Sequence, residues 1–73
     1  MAEEHVTTRI KVHFKLIDHE TSKGIHYWVS AQPVDRDFPF PGWVGFDLPD
    51  GISYEKAREI RDYLDDVVVN LVH

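Results

Sequence analysis

Cations recur at every second position from Arg9 onward: Arg9, Lys11, His13 and Lys15. Farther along, His26, Trp28 and Ser30 alternate in the same way, and Trp43 follows. If these runs are strands, a period of two places the side chains on one face of a sheet. Cations around two indoles suit single-stranded nucleic acid, because Lys and Arg meet phosphates while bases stack on Trp. The same residue types suit a protein contact, where Trp and Arg are the favoured anchors. The plainest alternative is the wet side of an antiparallel sheet. A formal net charge of −5 weighs against a dedicated nucleic-acid binder, which normally carries a basic surplus. Protein contact is therefore the first expectation for this face. An anion or nucleic-acid contact through Arg9, Lys11, His13, Lys15 and His26 is the second.

Other residues capable of chemistry form no reactive constellation. His13 and His26 could approach diagonally across a hairpin, but two imidazoles between Lys11 and Lys15 make a poor cation site and zinc needs three or four ligands, so no metal is expected. A pH-dependent contact through these histidines is a further reading. Asp47, Asp50, Asp62, Asp65 and Asp66 offer oxygens for magnesium or calcium. Their spacing is not that of an EF-hand, and a solvated surface is the simpler reading. Glu55, Glu59, Asp62 and Asp66 also suggest an acidic mimic of nucleic acid. The chain has no cysteine, so a cysteine nucleophile, disulfides and thiolate metal sites are excluded. It has no glycine-rich phosphate loop, no HExxH and no nucleophile-elbow motif. We expect no enzymatic activity and no cofactor.

These residues need elements to position them. Ile10, Val12, Phe14 and Leu16 interleave with the cations, so Thr8–Ile17 reads as a strand with one buried face. Asp18 to Gly24 is polar and reads as a turn. Ile25–Ala31 reads as a second strand, with Ile25, Tyr27, Val29 and Ala31 inward. The expected register pairs Leu16 with Ile25 and Phe14 with Tyr27, which sets His13 opposite Trp28. Gln32–Gly42 contains Pro33, Pro39 and Pro41 and reads as a loop. Within it, Phe38-Pro39-Phe40-Pro41 either docks on a partner or folds back over the core. Trp43–Leu48 reads as a third strand with Val44, Phe46 and Leu48 inward, ending at the turn Pro49-Asp50-Gly51.

The last third carries Ala57, Ile60, Leu64, Val67, Val68 and Leu71 at helical spacing, with Ser53 as N-cap. Arg58 with Asp62 and Arg61 with Asp65 are spaced to pair along that helix. Its end is awkward. Val67-Val68-Val69 is β-branched, and Asp65 and Asp66 sit at the negative end of the dipole. Val69 and Val72 fall outside the stripe. Either this tail packs on another chain, or residues after Asp66 leave the helix as an edge strand; the first is expected.

The β-β-β-α order, with the run Pro41-Gly42-Trp43 and then Gly51-Ile52-Ser53-Tyr54-Glu55-Lys56-Ala57, loosely resembles the small antitoxin domains of the HicB type. In those domains a hairpin and a strand lead through a "PG" and a "GxTxEEA"-like turn into a helix. The likeness covers about Tyr27 to Ala57 and is one of architecture. It implies a regulator that acts through the same basic, aromatic face.

The expected fold is α+β: a three-stranded antiparallel sheet with one C-terminal helix packed on one face. At 73 residues it is a single domain, with residues 1–7 as a flexible tail. A chain this short buries little, so a partner is expected to supply missing core. The expected function is a small non-catalytic interaction module that homodimerises or binds another protein. Its anchors would be Trp28, Trp43, Val69, Val72, Phe38 and Phe40. The N-terminus is polar and acidic, and no segment approaches the ~20 apolar residues of a membrane span. Together with the missing cysteines, this makes the cytoplasm the expected location.

Overall fold

Alternation in Arg9–Leu16 buries Ile10, Val12 and Phe14 and leaves Arg9, Lys11, His13 and Lys15 in water. That pattern follows from a sheet covered on one side only. The computed structural model describes residues 8–73. The tail expected over residues 1–7 lies outside the described residues.

The strands are β1 (Arg9–Thr21), β2 (Gly24–Pro33), β3 (Val44–Asp47) and β4 (Asn70–Val72), with helix α1 (Tyr54–Val67) between β3 and β4. Spatial order is β3-β2-β1-β4, and every pairing is antiparallel. The helix leaves one edge of the sheet, packs over β1 and β2, and delivers the chain to the other edge. The fold is thus α+β as expected, with four strands rather than three.

The fourth strand corrects the reading of the tail. The helix stops at Val67, and Val68 takes an extended conformation (φ −101°, ψ 118°) while its N–H still reaches the Leu64 carbonyl. Three β-branched valines and a last turn without a basic residue favour leaving the helix there. Leu71 then pairs beside Ile10, and Thr8 and His73 exchange hydrogen bonds of 3.0 and 2.9 Å. The tail's partner is the chain's own first strand.

The hairpin is also longer than its polarity implies. β1 continues through Asp18-His19-Glu20-Thr21, and only Ser22 and Lys23 form the turn. Thr21 Oγ1 donates to the Gly24 carbonyl at 2.7 Å, and Gly24 has φ +118°, which suits glycine. The register accordingly differs from the expected one. Leu16 lies opposite Val29, Phe14 opposite Ala31 and His13 opposite Gln32. The difference is even, so every side chain keeps its face.

The core joins Val12, Phe14, Tyr27, Val29, Ala31 and Leu48 from the sheet region to Ala57 of the helix. Ile60, Leu64, Val68 and Leu71 pack against it, as the stripe implied, while Val67 is exposed. Ser53 caps α1, its Oγ accepting from the Lys56 N–H at 3.1 Å. No helix is long and apolar enough to cross a membrane among the described residues.

Candidate functional site

The helix covers one sheet face, so the other is bare. On β1 it presents Arg9, Lys11, His13, Lys15, Ile17 and His19, and on β2 His26, Trp28, Ser30 and Gln32. The register sets Lys15 beside Ser30, Ile17 beside Trp28, and Trp28 beside Asp47 of β3. Every basic and aromatic residue expected on this face lies on it or at its rim.

Its centre is a tryptophan pair. The rings of Trp28 and Trp43 lie 4.7 Å apart at 34°. They meet over Gly45, where a Cβ would stand 2.8 Å from the Trp43 ring and 2.9 Å from the Trp28 ring. Real Cβ contacts are never that short, so glycine is what permits both indoles to lie on the strand. Trp43 remains 68% exposed, whereas Ser30, across the ladder from Gly45, is buried. Exposed aromatic surface of this size needs a reason, because indole desolvation is among the larger gains a side chain can make.

Among the remaining expected interface residues, Val72 shares this face at its far edge, because residues directly opposite in a ladder point the same way. Val72 is exposed opposite Arg9 on β4, and Val69 is exposed in the link from α1. Phe38 and Phe40 stack on each other (5.1 Å, 10°), Phe38 packs on the core, and Phe40 meets the His73 ring at 5.1 Å. The proline-rich loop folds back over the end of the core, and Phe38 and Phe40 line one cleft together with Trp43.

Sequence reasoning missed two carboxylate roles. His26 does not approach His13; it lies opposite His19. Its Nε2 is 3.2 Å from Asp47 and its Nδ1 3.1 Å from Asp50. The hydrogen bond to Asp47 is the largest effect raising the His26 pKa above 6.5; the contact with Asp50 adds to it and partial desolvation opposes it. This clamp ties β2 to the turn that leads into α1. The available signal was the pair of acids, Asp47 and Asp50, on either side of Leu48-Pro49. Asp65 was expected to pair with Arg61. Instead its carboxylate accepts from the Phe14 backbone N–H at 2.8 Å. Arg61 Nε rests 2.7 Å from Asp62, without hydrogen-bond geometry. The Arg58–Asp62 and Arg61–Asp65 pairs do not form. No group of three or more His, Asp or Glu side chains suited to a metal exists among the described residues.

The face thus combines exposed indole surface with a row of basic side chains. No protein-family model matches this chain, and neither a curated protein nor a solved structure is found to match it.

Proposed function

We propose that the protein is a small non-catalytic interaction module whose bare sheet face binds a partner protein, a second copy being the simplest case. The observation that carries this reading is the Trp28–Trp43 pair, held over Gly45 on an uncovered sheet. Two indoles in contact make a rigid apolar anchor, and Lys11, His13 and Lys15 beside them supply the polar rim. Light scattering over a range of concentrations tests the homodimer. Trp43→Ala should lower the mass to that of a monomer without loss of fold, since Trp43 is largely in water. A dimer that survives the substitution removes the tryptophans from the interface. A monomer at all concentrations removes the homodimer, and the search moves to a second protein.

A second reading is favoured by the cation column Arg9–Lys15, which runs alongside the indoles and suits single-stranded nucleic acid, as a HicB-like regulator would use. The two rings are too close together to admit a base between them, so stacking would be confined to the outer surface of Trp43. That reading predicts affinity falling with salt by about 0.7 logarithmic units per phosphate contact. Binding that ignores salt, or no binding, dismisses it.

A further inference from the structure

Away from the tryptophan face, one edge of β1 is open. Its backbone bonds have a simple parity. The Lys11 carbonyl accepts from Val34 on the β2 side, whereas the Val12 N–H donates to the Val69 carbonyl on the β4 side. Odd-numbered residues of β1 thus bond to β2, and even-numbered ones face β4. β4 pairs only with Arg9–Lys11. Beyond it, Phe14 gives its N–H to Asp65. The N–H and C=O groups of Leu16, Asp18 and Glu20 then point along a bare edge, and none has a partner among the described residues.

A cleft of about 260 Å³ opens beside this edge, between the hairpin and the helix. Leu16, Asp18 and Tyr27 form its sheet side, and Tyr54, Arg58 and Arg61 its helix side. Arg58 has no ion pair among the described residues, whereas Arg61 is ion-paired through its Nε with Asp62 at 2.7 Å and has the rest of its guanidinium to offer. An edge of free backbone groups is a template for an added strand. Asp65 already shows that a carboxylate can dock on it.

We propose that this edge takes an extended segment of a partner protein as an added antiparallel strand, with an acidic side chain opposite Leu16 entering the cleft toward Arg58 and Arg61. Side chains on this row of the added strand face the helix side, where the arginines are. Asp18, next in the row, calls for a cation two residues earlier in the segment. A second copy fits poorly. Two-fold pairing of β1 with itself sets Asp18 against Asp18 or Glu20, and like charges directly opposite are unfavourable. The remaining registers set Glu20 or Asp18 against Phe14, whose N–H is already taken.

The probe is a fluorescein-labelled hexapeptide, Thr-Lys-Val-Glu-Val-Thr, titrated into the isotopically labelled full chain. Amide signals of Leu16, Asp18 and Glu20 should shift and exchange more slowly. N-methylation of the peptide's Lys and Glu amides, or its Glu replaced by Lys, should weaken binding at least about tenfold. Arg58→Glu with Arg61→Glu should do the same. Asp18→Pro removes one outward N–H and no ladder bond, so it should abolish binding with the hairpin intact. If that variant loses the fold, the arginine reversal decides alone. The proposal is overturned by equal binding of the N-methylated peptide, by no shifts up to about 1 mM, or by shifts centred on Trp28 and Trp43. Protection of the same amides that grows with protein concentration, without peptide, also overturns it and assigns the edge to a second copy.

Discussion

Asp65 sits where a carboxylate should harm the helix, so replacing it separates two opposed effects. In the last turn of α1 its charge meets the negative end of the dipole, worth about 0.3–1 kcal/mol against stability. Asp is also a weaker helix former than Ala, by up to about 0.7 kcal/mol. Both effects favour Asp65→Ala. Against them stands the 2.8 Å hydrogen bond to the Phe14 N–H. Phe14 is 4% exposed, and a hydrogen bond to a charged group contributes about 1.5–3 kcal/mol. Asp65 itself is exposed, so water can reach part of the freed amide, and the lower half of that range applies. The net change for Asp65→Ala is then small and its sign uninformative. Asp66 supplies the reference. It lies one residue on in the same helix and is exposed. It shares the dipole and propensity effects without the bond to Phe14. The difference between Asp65→Ala and Asp66→Ala isolates the bond, at about 2 kcal/mol. For a domain of this size that is on the order of 10 °C between the two melting temperatures. Thermal unfolding followed by circular dichroism reads it, and Asp65→Asn should recover part of the loss by restoring an acceptor oxygen. Equal melting temperatures for the two alanine variants would refute the claim that Asp65 caps the edge of β1.

Three further outcomes are expected. The His26 pKa is raised by Asp47 and Asp50, so the stability from this clamp is fully present below about pH 6.5 and is lost as pH rises through the folded value; an NMR titration of His26 with a midpoint at or below 6.5 would contradict the clamp. Gly45→Ala should separate the tryptophan rings and change the near-ultraviolet circular dichroism, while stability moves within about 1 kcal/mol because strand propensity and lost ring contact oppose; an unchanged spectrum would mean that the rings do not meet over this residue. Ala57→Leu should destabilise by about 1–3 kcal/mol, since Ala57 is fully buried where α1 meets the sheet; chemical denaturation showing no loss would place the helix farther from β1 and β2.

What could be read in advance depended on whether burial left a pattern. Ile10, Val12, Phe14 and Leu16 alternate because the helix covers one side of β1, and the same logic placed Trp28 and Trp43 together. Asp18, His19, Glu20 and Thr21 look like a turn because all four side chains are exposed. Backbone bonds hold the ladder there and leave no apolar trace. β4 has only three residues, too few to show a period, and it is defined by a partner at the opposite end of the chain. The valines marked where the helix must fail, but not where the chain would go. His26 and Asp65 found their partners across the fold, on elements whose approach follows from packing and not from spacing along the chain.

The pairing of β4 also orders events in time. Thr21 pairs with Gly24 across a two-residue turn, whereas Ile10 pairs with Leu71 across nearly the whole chain. Closing the longer loop costs about 2.5 kcal/mol more in chain entropy. The hairpin can therefore assemble early, and the outer strand must dock late, after α1 has formed and crossed the sheet. Until then Ile10, fully buried in the finished fold, is uncovered along an unpaired strand. During that interval the chain is most prone to join with others.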